Sequence, residues 1–271
     1  MAHRFSHAIA EGDGISVIAA VDDPESARAA EEQRAEALEV IASRAKELSC
    51  PIVEAPLAYR VDHESLLNGC VRAQITEIAT GWTATLAPQL PGRFQLQNAI
   101  TAVAAARTLA ARGYRIPQEA IEQGVASAVW PGRLEKLQSR PDIYVDGAHN
   151  PGAARELAGF WEENFAGRKI FLLYGALRDK AVDEIAGLLF PHAAEVVFTE
   201  PRTSRAISAS QLSEIAAHLA AHSSVIPDAE QALDYLVSKA RPEDAVFVTG
   251  SLYLVGQLRQ YWKQSAQVAA G

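Results

Sequence analysis

The chain of 271 residues is 49% hydrophobic and 21% charged, enough apolar material for one large or two modest domains, and carries a formal charge of −8. An acidic chain with scattered Arg and Lys excludes a nucleic-acid backbone binder, which needs a concentrated basic face, while a local anion site stays open. No apolar stretch approaches the roughly 18–20 residues that span a bilayer, and Met1-Ala2-His3-Arg4-Phe5-Ser6-His7 shows no apolar h-region before a small-residue cleavage site, so no membrane partner is expected and the cytoplasm is the expected compartment.

In chain order, Ile15 to Val21 is a short β-prone run. Asp22-Asp23-Pro24-Glu25 then announces a long helix, with an aspartate cap and a proline suited to the first turn. Leu38, Ile41, Ala45 and Leu48 fall three or four apart on one face of it, and Cys50-Pro51 ends it, because proline disfavours a helical residue ahead of it. Cys50 and Cys70 have no metal-like partners at short spacing and fit a reducing compartment better than a disulfide scaffold or a zinc site. Ile52 to Leu90 reads as short strands and turns, most strand-like from Ile75 to Leu86, and Pro88 to Gly92 breaks it. Asn98 to Ala111 predicts an alanine-rich helix and Ile116 to Ala128 a second one opened by Pro117.

From Ile143 onward the rhythm changes to strict alternation. Strands are expected at Ile143–Val145, Ile170–Tyr174, Val196–Thr199, Val225–Ile226 and Ala245–Thr249. Helices are expected from Ala153 and near Val182–Leu189, Ala209–His222, Ala229–Lys239 and Leu252–Tyr261. Apolar strands alternating with amphipathic helices predict a parallel sheet covered on both faces, a Rossmann-like domain, with a boundary near Trp130-Pro131-Gly132.

In such a sheet ligands approach the carboxyl ends of the strands. Asp146-Gly147-Ala148-His149-Asn150-Pro151 follows the first of these strands: Asp146 can accept from a sugar hydroxyl pair, Gly147 permits a turn or a close approach, and Asn150-Pro151 suits helix entry. The same hexapeptide would also serve as plain turn and cap residues. Upstream, Arg133 in Trp130-Pro131-Gly132-Arg133-Leu134-Glu135 could reach a phosphate with its always-charged fork, or form a surface salt bridge with Glu135, which is the reading its own chemistry favours.

Trp130 to Glu135, Asp146 to Pro151 and Gly250-Ser251-Leu252-Tyr253-Leu254-Val255-Gly256, together with Gln95 and Asn98-Ala99 and with Gly175 and Asp179-Lys180, resemble the folylpolyglutamate synthase/dihydrofolate synthase family of Mur ligases in order and approximate spacing. Ile9-Ala10-Glu11, Gly14-Ile15 and the helix from Glu25 continue the resemblance more weakly upstream. The resemblance implies an ATP- and Mg2+-dependent ligase of folate biosynthesis and one-carbon metabolism, which activates a carboxylate as an acyl phosphate and lets the amino group of L-glutamate displace it. It implies that Asn98 contacts the adenine, Arg133 the phosphates and Asp146 the ribose, with His149 lining the same cleft and Ser251 near the amino-acid substrate. The other substrate would be dihydropteroate or tetrahydrofolate. One departure is Phe94, where the family often has histidine.

A larger departure is that no Gly-Lys dipeptide occurs, so the Gly-x4-Gly-Lys-Ser/Thr loop that wraps β- and γ-phosphates is not among these residues. The family's magnesium ligands and central-domain lysine would lie before Met1. The expected architecture is therefore α/β, with residues 1–130 the remainder of a P-loop-type central domain and 131–271 a Rossmann-like C-terminal Mur ligase domain. No residue is assigned as catalytic and none as a metal ligand. A ligase dependent on a separate N-terminal half is expected, and the alternatives are a non-catalytic nucleotide- or glutamate-binding homologue or another Mur ligase. Gly12-Asp13-Gly14 lacks the third glycine of a dinucleotide fingerprint. Ser251, His149 and Asp146 lack a nucleophile elbow, and His3, His7, His192, His218 and His222 form no metal-ligand pattern.

Overall fold

The computed structural model describes residues 6–10, 15–19, 38–178 and 180–269. The expected helix start at Asp22-Asp23-Pro24-Glu25, the Gly12-Asp13-Gly14 fragment and Asp179 lie outside them. The chain divides into two compact units, Met1–Val129 and Trp130–Gly271.

In the first unit β1 (Ser6–Ala10) pairs antiparallel with β2 (Ile15–Ala19), and β2 pairs parallel with β3 (Ile52–Glu54). The helical residues 38–47 (α1) give way to a turn just before Cys50-Pro51, where the proline stops the helix. Ala45 is buried there, but Leu48 falls in the turn and is exposed, so the apolar stripe read from the sequence stops short of it. A short helix, α2 (Ala55–Ala58), follows β3 and has no periodic pattern to announce it.

Next comes an antiparallel meander of β4 (Tyr59–Leu67), β5 (Cys70–Glu77) and β6 (Thr83–Leu86). Asn68 and Gly69, with φ of 53° and 76°, make the two-residue turn that pairs Leu67 with Cys70. Both central residues of this hairpin class need positive φ, which Asn and Gly tolerate best. The stretch from Ile75 to Leu86, the most strand-like by sequence, holds the end of β5, a turn and β6, and the longest pairing, β4 with β5, lies mostly upstream of it.

Helices α3 (Phe94–Ala111) and α4 (Gln118–Ala126) complete the unit, with Pro117 capping α4 from outside. Alternate residues Val71, Ala73 and Ile75 of β5 point inward against Leu96, Ile100 and Val103 of α3 and Ile121 and Val125 of α4. Each fully buried Val, Leu or Ile contributes about 1.5–3 kcal/mol.

The second unit holds one six-stranded sheet in the order β11-β10-β9-β12-β8-β7. Its elements are β7 (Glu135–Gln138), β8 (Asp142–Val145), α5 (Pro151–Asn164), β9 (Ile170–Tyr174), α6 (Val182–Leu189), β10 (Glu195–Glu200), α7 (Ala209–Ala216), β11 (Ser223–Asp228), α8 (Ala229–Lys239), β12 (Ala245–Thr249) and α9 (Leu252–Ala269). Five strands are parallel; β7 runs antiparallel along β8, so the expected wholly parallel sheet has an antiparallel edge.

Every residue of β9 and β12 is buried, as central strands covered on both faces require. Ile143, Val145, Leu173, Val246 and Val248 face the apolar sides of α8 and α9. Tyr144 turns to the opposite face and stacks on Phe247 at 5.0 Å, where Phe160, Trp161 and Phe165 of the α5 layer pack edge-on around the pair.

At the amino ends of the strands Glu195 is 5% exposed. It accepts from Ser224 Oγ at 2.9 Å, from Tyr235 Oη at 3.0 Å and from Lys239 Nζ. Burial pushes the carboxyl up, but these donors outweigh it and hold it below its ordinary 4.5. Its contribution to stability is therefore full above 4.5 and lost as pH falls through the lower folded value. Glu195→Gln should melt below the wild type at pH 7, and the gap should close on acidification; thermal melts across pH 3 to 7 check this.

Candidate functional site

The carboxyl ends of β8, β9 and β12 meet at one edge of the second unit. Three glycines make the close approach possible. Gly147 donates its N–H to Gly132 O at 2.8 Å, Gly175 to Thr249 O at 3.2 Å and Gly250 to Ala148 O at 3.0 Å. A Cβ on Gly175 would sit 2.9 Å from Thr199 O, and one on Gly250, whose φ is +104°, 2.7 Å from Gly175 O. Backbone lies against backbone here, and only glycine fits.

Asp146 continues β8 and organises the loop that follows. Its residue is 7% exposed, with Oδ2 accepting from Leu134 N at 2.9 Å and Oδ1 from Ala148 N at 2.8 Å. One carboxylate thus ties the Gly147–Asn150 loop to the Trp130–Glu135 segment. Leu134 is buried with φ of 43°, a left-handed conformation costly for a non-glycine residue, and its N–H is one of the two that Asp146 holds. Burial pushes the Asp146 carboxyl above its ordinary value, against the opposing pull of the two amides and of nearby Arg133 and His149. The sequence reading gave Asp146 to a ribose; in this structure both of its oxygens are engaged by backbone.

Arg133 is exposed, and Glu135 is not its partner. Glu135 accepts from Arg259 Nε at 2.8 and 2.7 Å and from Gly132 N at 2.8 Å, which corrects the expected Arg133–Glu135 salt bridge. Nothing in the sequence marked Arg259, which lies on α9 far along the chain from Glu135. The Arg133 guanidinium has no hydrogen bond or ion pair with the described side chains. An unpaired, permanently charged fork at a strand's carboxyl edge can take an anion's oxygens.

His149 Nδ1 lies 2.7 Å from Gly147 O, so it carries the proton and donates, leaving Nε2 as the outward nitrogen. Asn150 caps α5 by accepting from Ala153 N at 2.9 Å, with Pro151 in the first turn, as the sequence led one to expect. Ser251 is 1% exposed, and its Oγ accepts from Tyr253 N at 3.1 Å, which makes it the capping residue of α9. Leu252 and Tyr253 are exposed beside it.

Arg133, Asp146, His149 and Ser251 therefore gather at one edge of one unit. Asn98 stands on α3 of the other unit and donates Nδ2 to Gln95 Oε1 at 2.9 Å. Phe94 lays its ring against Gly92, whose φ is +102° and where a Cβ would come within 2.4 Å of the ring. Among the described residues no three His, Cys, Asp or Glu gather into a metal-binding group, so they do not by themselves fit a divalent cation. No helix among them is long and apolar enough to cross a membrane.

Residues 132–252 match the family described as Mur ligase, glutamate ligase domain. The dihydrofolate synthase/folylpolyglutamate synthase of Bacillus subtilis is 29% identical over 265 residues, 93% of this chain and 55% of that protein. A folylpolyglutamate synthase of Mycobacterium tuberculosis, solved with ADP and AMPPCP, shares the fold with a TM-score of 0.77 at 24% identity, over 93% of this chain and 56% of its own. A bifunctional folylpolyglutamate synthase/dihydrofolate synthase of Yersinia pestis, complexed with AMPPNP and a manganese ion, gives a TM-score of 0.66 at 27% identity over 82% of this chain and 50% of its own. The chain spans about half the length of each of these relatives. Residues 132–252 thus carry the likeness to the Mur ligase glutamate ligase domain, and the chain as a whole is similar to about half of a folylpolyglutamate or dihydrofolate synthase.

Proposed function

We propose that the chain is part of an ATP-dependent ligase that joins L-glutamate to a folate, acting on tetrahydrofolate, dihydropteroate or both. Residues 1–130 are then the remainder of a P-loop-type central domain and 131–271 the C-terminal domain of the enzyme. The observation that carries this reading is the edge at β8, where a buried carboxylate holds two loops so that Arg133 projects unpaired beside it, in a domain that matches a glutamate ligase family. Likeness to an enzyme that holds a nucleotide analogue and a divalent cation supports ATP as the co-substrate.

The reaction has two stages: a carboxylate oxygen attacks the γ-phosphoryl group of ATP to release ADP, and the glutamate amine then displaces phosphate from the acyl phosphate. Both depend on positioning and on charge neutralisation. Arg133 supplies a fixed cation for phosphate oxygens, and His149 offers Nε2 to a ribose hydroxyl. Asp146 acts on the ribose through the loop whose shape it sets, and Asn98 takes the adenine. Ser251 shapes the start of α9 beside the amino-acid substrate. Magnesium is the metal ion of this reading, neutralising phosphate charge when bound, and the cytoplasm is its compartment.

The phosphate-wrapping loop is not among the 271 residues, so the assay supplies it. ADP and phosphate release from ATP, L-glutamate and each folate is measured with the chain alone and with a half carrying that loop. Release in the mixture that needs both glutamate and folate supports the ligase; silence in both arms overturns it in favour of a binding protein without activity. In the active mixture Arg133→Ala should raise the KM for ATP about 10- to 100-fold, the loss of one or two charge-assisted hydrogen bonds. Its melting temperature should stay unchanged, because Arg133 pairs with no described side chain.

A further inference from the structure

A cavity of about 530 Å³ lies among the amino ends of β9, β10 and β11, at the opposite end of the sheet from Asp146 and His149. Its size falls within the roughly 300–1,000 Å³ of small-molecule sites. Two acids face it, and both are already satisfied. Glu195, 5% exposed, holds Lys239 Nζ, which also donates to Tyr235 Oη at 3.0 Å. Asp244, 1% exposed, accepts from Arg241 N at 2.9 Å and from its Nε and Nη2 at 3.1 Å, while Arg241 Nη1 pairs with exposed Glu243 at 3.1 Å. Each buried carboxylate thus balances one cation and fixes that side chain at the cavity wall.

Lys169 and His222 stand at the same cavity without such a partner. Their backbones are rooted where β9 and β11 begin: Lys169 O accepts from Ala245 N and His222 O from Val196 N, each at 2.9 Å. Neither side chain has a hydrogen bond or ion pair with the described residues, and Lys169 acts on Asp244 only through its field. The lining therefore sets Lys169, Lys239 and Arg241 against two carboxylates, a positive surplus before His222 is counted, on a chain of formal charge −8. Phe171 and Ala194 supply apolar wall, and such a wall focuses the field of the charges beside it.

We propose that this cavity binds a small polyanion. Lys169 and His222 are its free donors, Lys239 gives the one N–H that Glu195 and Tyr235 leave unused, and Ser223 adds a hydroxyl. Phosphate esters and polycarboxylates share the clustered anionic oxygens that this frame would hold.

The test is calorimetric titration of the 271-residue chain with pyrophosphate and with citrate, in about 0.15 M salt, which screens charges more than about 8 Å apart. At least one of the two should bind. Lys169→Ala should weaken that binding about tenfold or more, the loss of one charge-assisted hydrogen bond, and Lys169→Ala with His222→Ala should weaken it further. These variants should melt with the wild type, because neither side chain pairs with a described residue, so lost affinity is not lost fold. Arg133→Ala, at the other end of the sheet, should leave the binding in place. The anion that binds more tightly names the source, a phosphate ester or a polycarboxylate. Binding that the double variant keeps at full strength, or that Arg133→Ala abolishes, overturns the site, as does no binding of either anion.

Discussion

Gly250→Val should lower the stability of the second unit by about 4 kcal/mol, the sum of a left-handed backbone forced on a β-branched residue and of overpacking against rigid neighbours. The residue sits at φ +104°, and any Cβ would meet Gly175 O at 2.7 Å and the Tyr174 ring at 2.8 Å. A flexible side chain could yield, but a backbone carbonyl one residue past the end of β9, tied by Gly175 N–H to Thr249 O, cannot move without moving the strand end. Since Gly250 N–H also donates to Ala148 O, the strain should reach the loop that carries His149. At roughly 2–4 °C per kcal/mol for a protein of this size, the melting temperature should fall by roughly 10 °C. Gly159 is the control: no atom lies within 4 Å of its Cβ position on α5, and Gly159→Ala should gain about 0.5–1 kcal/mol of helix stability. Equal melts for the two variants would mean that the three strand ends are not packed as tightly as their distances require.

The difference between these two glycines marks how much of the fold and site is legible in sequence. The central strands β9 and β12 are continuous apolar runs, and a strand buried on both faces must read that way, so their bounds follow from the residues alone. The edge strand β7 is Glu-Lys-Leu-Gln; its backbone pairs on one side only and Leu137 alone packs against the core, so no apolar pattern betrays it. The short helix α2 is a single turn, too short to show a helical period, although Ala55 is buried in the core. In the candidate site, Asn150-Pro151 is a local signal, because the cap bonds to a residue of its own turn. Glu135 could not be placed so easily: proximity along the chain favours Arg133, whereas the fold brings Arg259 from the far end of the unit. Nor does sequence show that Asp146 and Ser251 are engaged by backbone amides, since that depends on how two loops and a helix start fold over them.

Asp146 carries the second large effect. Asp146→Ala leaves Leu134 N–H and Ala148 N–H buried without an acceptor and releases Leu134 from the bond that holds it at φ 43°, so a loss of about 3 kcal/mol is expected, together with loss of ATP turnover in the assembled ligase. Asp146→Asn separates shape from charge. It keeps the volume and one acceptor but turns an amino group toward one of the two N–H donors, and about 2 kcal/mol should still be lost. The pH dependence has a definite sign. Because burial raises the folded carboxyl above its ordinary 3.8, its contribution is full below that value and is lost as pH rises through the folded one. The advantage of the wild type over Asp146→Asn should therefore shrink as pH rises above 3.8 in urea titrations, and settle to a constant once the carboxyl is ionised. An advantage that instead grew with pH would mean that the two amides and Arg133 outweigh burial. In that case Asp146 would be an anion stabilised by its loop, and Arg133 would be tied to holding it rather than left for a phosphate.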